Sequence, residues 1–348
     1  MIVTLAILSI TLHTIAYSEN SDSFVSPAIP PSTIAPPYSE IVDFSKWDIP
    51  LQKLEITASE YRADALKDHA KAYELLRCVK DVLLKDPIVK VLESVQPKTY
   101  EYNRSGKDLP GVELAASDVQ VDGQRFILAG LPKDLETAAQ YWNVILKQQC
   151  LLVVSVLDSS EEPDQCNNFW RQHNLEQMTL LNGWTISEKD RELIIEGKKQ
   201  ERGTPAIIKT TLLATNGKLE RTITHLQYTG WFNYTPFPDE AVFQVLLNHM
   251  LVISPTKSIP IAINCHGGIG RTGATAAVFV LERQIATAVA ENRENRYRVN
   301  LANIIYMLRR QRQGVLGNPG NVSKIYSVLA KYHKDLLAST YQKATSSP

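Results

Sequence analysis

The stretch "AINCHGGIGRTGATAAV", residues 262–278, constrains this chain more than any other. The β-branched, apolar "IPIAIN" (259–264) reads as a short buried strand, and "TGATAAVFVLERQIATAV" from Thr272 reads as a helix. Between them "CHGGIGR" must turn strand into helix within seven residues. Gly267, Gly268 and Gly270 supply the conformations and the close backbone approach that side chains forbid. At the N-terminal end of a helix, successive N–H groups of such a loop curl into an anion-binding nest, reinforced by the helix dipole.

The chemistry follows from what this loop carries. Cys265 at its mouth is expected to be stabilised as thiolate, because the N–H groups that favour an anion also favour a charged sulfur. Arg271 offers a planar, permanently charged fork that matches two oxygens of a phosphate. With the backbone of His266, Gly267, Gly268, Ile269 and Gly270, one loop holds a nucleophile, an oxyanion cradle and a bidentate clamp. Those are the parts needed to move a phosphoryl group onto sulfur. A buried cysteine at a strand end is the bland alternative for Cys265. Three glycines between Cys and Arg, with a strand before and a helix after, favour the functional reading.

The rest of the chain mixes both kinds of element. "DLETAAQYWNVILKQQ" (134–149), "DEAVFQVLLNHMLVI" (239–253), "VNLANIIYMLRRQRQ" (299–313) and "NVSKIYSVLAKYHKDLL" (321–337) read as helices. "CLLVVSVL" (150–157) reads as a buried strand. "AIIKTTLLA" and "KLERTITHLQY" flank Asn216-Gly217 as a hairpin. Near the start, "TASE" (57–60) fits a capping box opening a helix that runs through "LLRCVKDVLL". The expectation is a single α/β domain with a mixed sheet and a helical C-terminal side, over residues 55–340.

Residues 19–50, with "SPAIPPSTIAPP", read as a Ser/Pro-rich linker. Before it, "MIVTLAILSITLHTIA" is too short for a comfortable membrane span and resembles a secretory signal over residues 1–18. It lacks a basic n-region, since the first basic residue is Lys46, so a packed apolar segment is the alternative. The first reading implies export and the second a cytoplasmic protein. Formal net charge is zero over 348 residues, so bulk electrostatics point to neither nucleic acid nor membrane. The cysteines are Cys78, Cys150, Cys166 and Cys265, too few and too widely spaced for a disulfide scaffold. The first three read as buried free thiols.

Taken together, the motifs resemble those of the protein tyrosine phosphatases. "CHGGIGRTG" resembles that family's Cys-x5-Arg-Ser/Thr loop. "QRFILAGLPKDLETAAQYWNVILKQQCLLVVSV" is similar to its turn-and-helix segment with a Phe-Trp pair, and "QCNNFW" (165–170) to its Lys-Cys-x-x-Tyr-Trp element. "HLQYTGW" (225–231) resembles the strand that leads into the family's mobile acid loop, and "LRRQRQG" (308–314) its Leu-Arg-Arg-Gln-Arg-x-Gly helix end. The resemblance spans about residues 90–335. It implies a twisted mixed β-sheet flanked by helices. It also implies hydrolysis of phosphate monoesters, phosphotyrosine above all, through a cysteinyl-phosphate at Cys265 without metal or cofactor. Arg271 would then hold the phosphate, Thr272 would stabilise the departing thiolate, and Trp231 would couple acid-loop closure to the clamp. The implied partner is a phosphorylated protein or another phosphate monoester.

Several positions depart from that pattern. Asn264 stands where the family has the His that precedes the nucleophile; His266 either compensates or faces solvent. Trp231-Phe232-Asn233 replaces Trp-Pro-Asp, and an amide at Asn233 cannot serve as a general acid. Asp239 is a nearby substitute, although capping the helix that follows is the plainer role. In "NRSGKDLP" (103–110), Ser105 stands in place of the tyrosine that stacks on the substrate ring, with Tyr100 and Tyr102 out of register. The glutamine that positions the hydrolytic water falls at Gly317, with Asn318 and Asn321 close by. Two readings result: a cysteine phosphatase impaired by loss of its acid, or a pseudophosphatase that binds phosphorylated partners. Export together with a low-pKa thiol, which survives best in a reducing compartment, fits a bacterial effector acting in a host cytosol.

Overall fold

In the computed structural model, residues 42–86, 115–158, 169, 177–196 and 204–346 are described. The expected leader (1–18), most of the linker, Cys166 and the "NRSGKDLP" segment with Tyr100, Tyr102 and Ser105 lie outside them. The linker expected over 19–50 gives way to packed chain at its end. Phe44 is buried, and β1 (Ile49–Pro50) pairs antiparallel with β10 (Arg298–Val299).

Two helices follow, α1 (Leu54–Ala65) and α2 (Ala70–Leu83), where the sequence suggests one. Helix α1 starts three residues before the expected capping box, because Thr57 is buried in the helix interior and caps nothing. The break between the two helices carries no Gly or Pro. It is made by His69, which adopts a left-handed conformation at φ 57°.

An eight-stranded sheet forms the centre of the domain. Its strands are β2 (Ala116–Val121), β3 (Gln124–Gly130), β4 (Leu152–Val156), β5 (Gln177–Thr179), β6 (Thr185–Ile195), β7 (Ala206–Thr215), β8 (Glu220–Thr229) and β9 (Ile261–Cys265). They lie in the order β2-β3-β9-β4-β8-β7-β6-β5. The four central strands, β3, β9, β4 and β8, are parallel, and the outer pairs are antiparallel, so the sheet is mixed as expected. The Asn216-Gly217 turn does join β7 to β8: Asn216 Oδ1 accepts from the N–H groups of Lys218 and Leu219, and Gly217 sits at φ 81°.

Helix α3 (Leu135–Lys147) buries Tyr141, Trp142 and Ile145 on one face of the sheet. Its start is fixed by Asp134, whose carboxylate accepts from Thr137 N–H while the Thr137 hydroxyl accepts from Asp134 N–H. The opposite face carries α1, α2, α4 (Glu240–Ile253), α5 (Gly270–Ala290), α6 (Leu301–Gln311) and α7 (Pro319–Ser346). Helix α5 is buried on nearly every side, which explains its small, apolar sequence without a polar stripe. No helix among the described residues is long and apolar enough to cross a membrane.

Strand β9 lies between β3 and β4 and runs straight into α5. This arrangement places Cys265 at the carboxyl end of a central parallel strand, the position where open α/β sheets form their clefts.

Candidate active site

The loop after β9 is held from beneath as well as shaped from within. Gly268 sits at φ 63° against the end of β3, and a Cβ there would strike the Ala129 carbonyl and the Gly130 nitrogen. Gly273 fits as closely against Val315 and Leu316, so α5 cannot shift without opening the loop. The buried guanidinium of Arg312, in the segment after α6, donates from Nε to the Gly268 carbonyl at 2.7 Å and from Nη1 to Ser117 Oγ at 2.8 Å. Longer bonds run from its Nη2 to the carbonyls of Ala115 and Gly267. With its carbonyls held in this way, the loop turns the N–H groups of Ile269 and Thr272 toward the Cys265 sulfur. Arg312 lies within the motif read as "LRRQRQG", but its hold on the loop was not evident from the sequence.

Cys265 is 3% exposed and lines a cavity of about 900 Å³. Burial opposes its ionisation. Against that act the charge of Arg271, the Thr272 hydroxyl and N–H, and the N–H of Ile269. They outweigh burial and hold the Cys265 pKa below its ordinary value. The Thr272 hydroxyl has no other partner among the described residues, so the sulfur is its natural acceptor. Cys150 shows the contrast: buried in the apolar layer under α3, its thiol is pushed up to about 12. Cys78 is a half-buried free thiol.

The cavity gathers most of the expected residues: Cys265, His266, Gly267, Ile269, Gly270 and Arg271 line it, and Asn233 does too. His266 is half-buried and borders the cavity, so it is not simply solvent-facing. Gly268 and Thr272 serve from behind, one as the close-packed corner and the other beneath the sulfur. Trp231 differs from its expected place among the phosphate-binding groups. Its ring is fully buried against Tyr228, Phe237 and Phe243, and it reaches the site through its carbonyl, which accepts from Arg271 Nη1 at 2.6 Å.

The substitute acid also resolves. Asp239 accepts from the N–H groups of Ala241 and Val242, so its carboxylate caps α4 and does not line the cavity. Asn233, expected at the acid position, lines the cavity, and its Oδ1 accepts from the Tyr234 N–H at 3.1 Å. No Asp or Glu is present among the described residues lining the cavity. Gly317, Asn318 and Asn321 line the cavity too, and both amides also hold the backbone around it. Asn318 donates to the Tyr234 carbonyl at 2.7 Å and accepts from Gly320 N–H, and Asn321 accepts from Phe237 N–H. Both fasten residues 231–238 to the start of α7.

Asn264 proves to be part of a buried network. Its Oδ1 accepts from Ser155 Oγ at 2.9 Å and from Tyr141 Oη at 3.2 Å, and Ser155 Oγ in turn lies 2.8 Å from His225 Nε2. This side chain anchors the residue before Cys265 to β4, β8 and α3. His266, with its carbonyl accepting from Leu131 N–H, fixes the other side. No cluster of metal-ligating side chains occurs among the described residues.

Comparison with known proteins agrees with this geometry. The Protein-tyrosine phosphatase family model matches residues 114–331. Human receptor-type tyrosine-protein phosphatase C is 24% identical over 246 residues, covering 68% of this chain and 17% of that protein. The Arabidopsis thaliana protein-tyrosine-phosphatase PTP1 is 20% identical over 211 residues, covering 59% of this chain and 56% of the plant protein. This chain therefore spans only part of the length of these relatives. Among solved structures, PTPN18 in complex with HER2-pY1196 phosphopeptides superposes with a TM-score of 0.61 at 16% identity, covering 80% of this chain and 98% of that one. The Trypanosoma cruzi phosphatase TcPTP1 superposes with a TM-score of 0.55 at 18% identity, covering 75% and 90%. With its signature loop, its mixed sheet and a family match over more than half its length, the chain belongs to the protein-tyrosine phosphatase family.

Proposed function

We propose that this chain is a working cysteine-dependent phosphate monoester hydrolase whose turnover is slowed by the missing carboxylic acid at position 233. One observation carries the reading: a thiol biased toward thiolate lines the cavity beside Arg271, with the N–H groups of Ile269 and Thr272 turned to the sulfur. The sulfur attacks phosphorus while Arg271 and the loop hold the equatorial oxygens. The S–P bond forms as the bond to the leaving oxygen breaks, and water later releases phosphate and restores the thiolate. Phosphotyrosine in a protein is the substrate the family membership favours. The test is phosphate release from an aryl phosphate by the full chain beside Cys265→Ser; equal inertness of the two would reject it.

A second reading has a specific observation behind it, the absence of any carboxylate among the described residues lining the cavity. On that reading the chain is a pseudophosphatase that captures phosphorylated partners, since retained ground-state binding without a transition-state proton donor lowers turnover. Phosphopeptide binding abolished by Arg271→Ala, with no phosphate released, would support it. Export of the chain, and action in a reducing host cytosol, belong to the same proposal. They rest on residues 1–18 and are tested by the N-terminal sequence of the mature protein.

A further inference from the structure

Two cavity-lining residues, His69 and Tyr73, lie outside the family-matched residues 114–331. His69, at the α1–α2 corner, shares the cavity with Cys265, Arg271 and Asn233. It holds a left-handed backbone conformation that Gly or Asn would adopt more easily, and such conformations cluster at functional sites. Its ring is oriented from behind. Ser323 Oγ donates to the Pro319 carbonyl at 3.2 Å and so turns a lone pair toward His69 Nδ1, 3.3 Å away. That arrangement favours a proton on Nδ1 and fixes the ring plane.

Position decides what such a ring can do. In-line displacement puts the leaving oxygen opposite the attacking sulfur. His266 is next to Cys265 in the nucleophile loop, on the attacking side. His69 is tethered to Ser323 near the start of α7, and Asn318, the residue just before that helix, grips the Tyr234 carbonyl beside Asn233. It lines the cavity from the α7 side, where the Tyr234 carbonyl next to Asn233 is also fastened.

We propose that His69 is the proton donor to the leaving oxygen, in the role that the carboxamide of Asn233 cannot fill. The inference rests on the hydrolase reading above. In the first step the Sγ–P bond forms, the bond from phosphorus to the leaving oxygen breaks, and the proton on Nε2 of the imidazolium passes to that oxygen. In the second step the neutral ring takes a proton from the attacking water as the Sγ–P bond breaks, restoring thiolate and imidazolium. The cycle consumes one ester and one water and yields one alcohol and one phosphate.

The experiment compares kcat/KM of the full chain, His69→Asn and Ser323→Ala on phenyl phosphate and p-nitrophenyl phosphate. Asn tolerates the left-handed backbone, and tungstate inhibition and thermal midpoint check that the cavity survives. A general acid matters most for the poor leaving group. His69→Asn should lower phenyl phosphate turnover about 10²-fold and p-nitrophenyl phosphate turnover much less. Ser323→Ala should shift the ratio in the same direction by a smaller factor. Equal losses on both substrates, or none, would overturn the role of His69 while leaving the hydrolase reading intact. A wild-type chain as inert as Cys265→Ser would overturn both.

Discussion

Arg271 Nη1 donates to the Trp231 carbonyl at 2.6 Å, tying the guanidinium proposed to clamp phosphate to the segment that holds Asn233. Trp231 is locked in turn, by its buried ring and by an indole N–H donated to the Thr235 carbonyl at 2.8 Å. The clamp's position is thus set by the loop opposite. Arg271→Lys keeps the charge but loses the fork that serves carbonyl and phosphate together. Turnover should fall about 10²–10³-fold, and tungstate inhibition should weaken with it. Steady-state kinetics on the variant check both.

The lowered pKa of Cys265 has an identifiable origin. Since Arg271, Thr272 and the N–H of Ile269 outweigh burial, Cys265 should react with iodoacetamide at a pH where an ordinary thiol is still protonated. Thr272→Val removes one of these supports and should move the alkylation midpoint upward. An unchanged midpoint would remove Thr272 from the account.

Gly268 is the tightest corner of the loop, at positive φ and against the end of β3. Gly268→Ala requires the loop to lift off Ala129 and Gly130, which would break the bond from Arg312. The chain should lose oxyanion binding and turnover together, measured by tungstate titration and by phosphate release.

The buried network makes stability depend on pH. Burial, helped by Arg191, pushes the His225 pKa down to about 3, whereas an imidazole in the unfolded chain titrates near ~6.5. Between those values the unfolded chain binds the extra proton. This contribution to stability is therefore whole above about pH 6.5 and is lost as pH falls toward 3, at up to about 1.4 kcal/mol per pH unit. Urea unfolding from pH 7 to pH 4 should show the slope, and His225→Gln should reduce it by about one proton.

What the sequence disclosed was mostly local. The strand, glycine loop and helix from Ile259 onward were legible because apolar run, turn and helix are adjacent, and Cys265 and Arg271 are six residues apart. The cap at Asp239 was legible for the same reason. The start of α1 was not, because Thr57 and Glu60 imitate a capping box that burial of Thr57 overrides. Nor was the break at His69, which no Gly or Pro announces. Asn264 could be recognised as a departure, but its bonds to Ser155 and Tyr141 depend on strand order. His69 and Arg312 reach the site only through long-range packing that no local pattern encodes.

The central claim is that Cys265 is a live nucleophile. The most direct measurement is phosphate release from p-nitrophenyl phosphate by the full chain beside Cys265→Ser, with trapping of the phosphoenzyme after rapid acid quench. The account predicts turnover and a cysteinyl-phosphate in the wild type, and neither in the variant. Equal rates in the two, with no trapped phosphoenzyme, would contradict it.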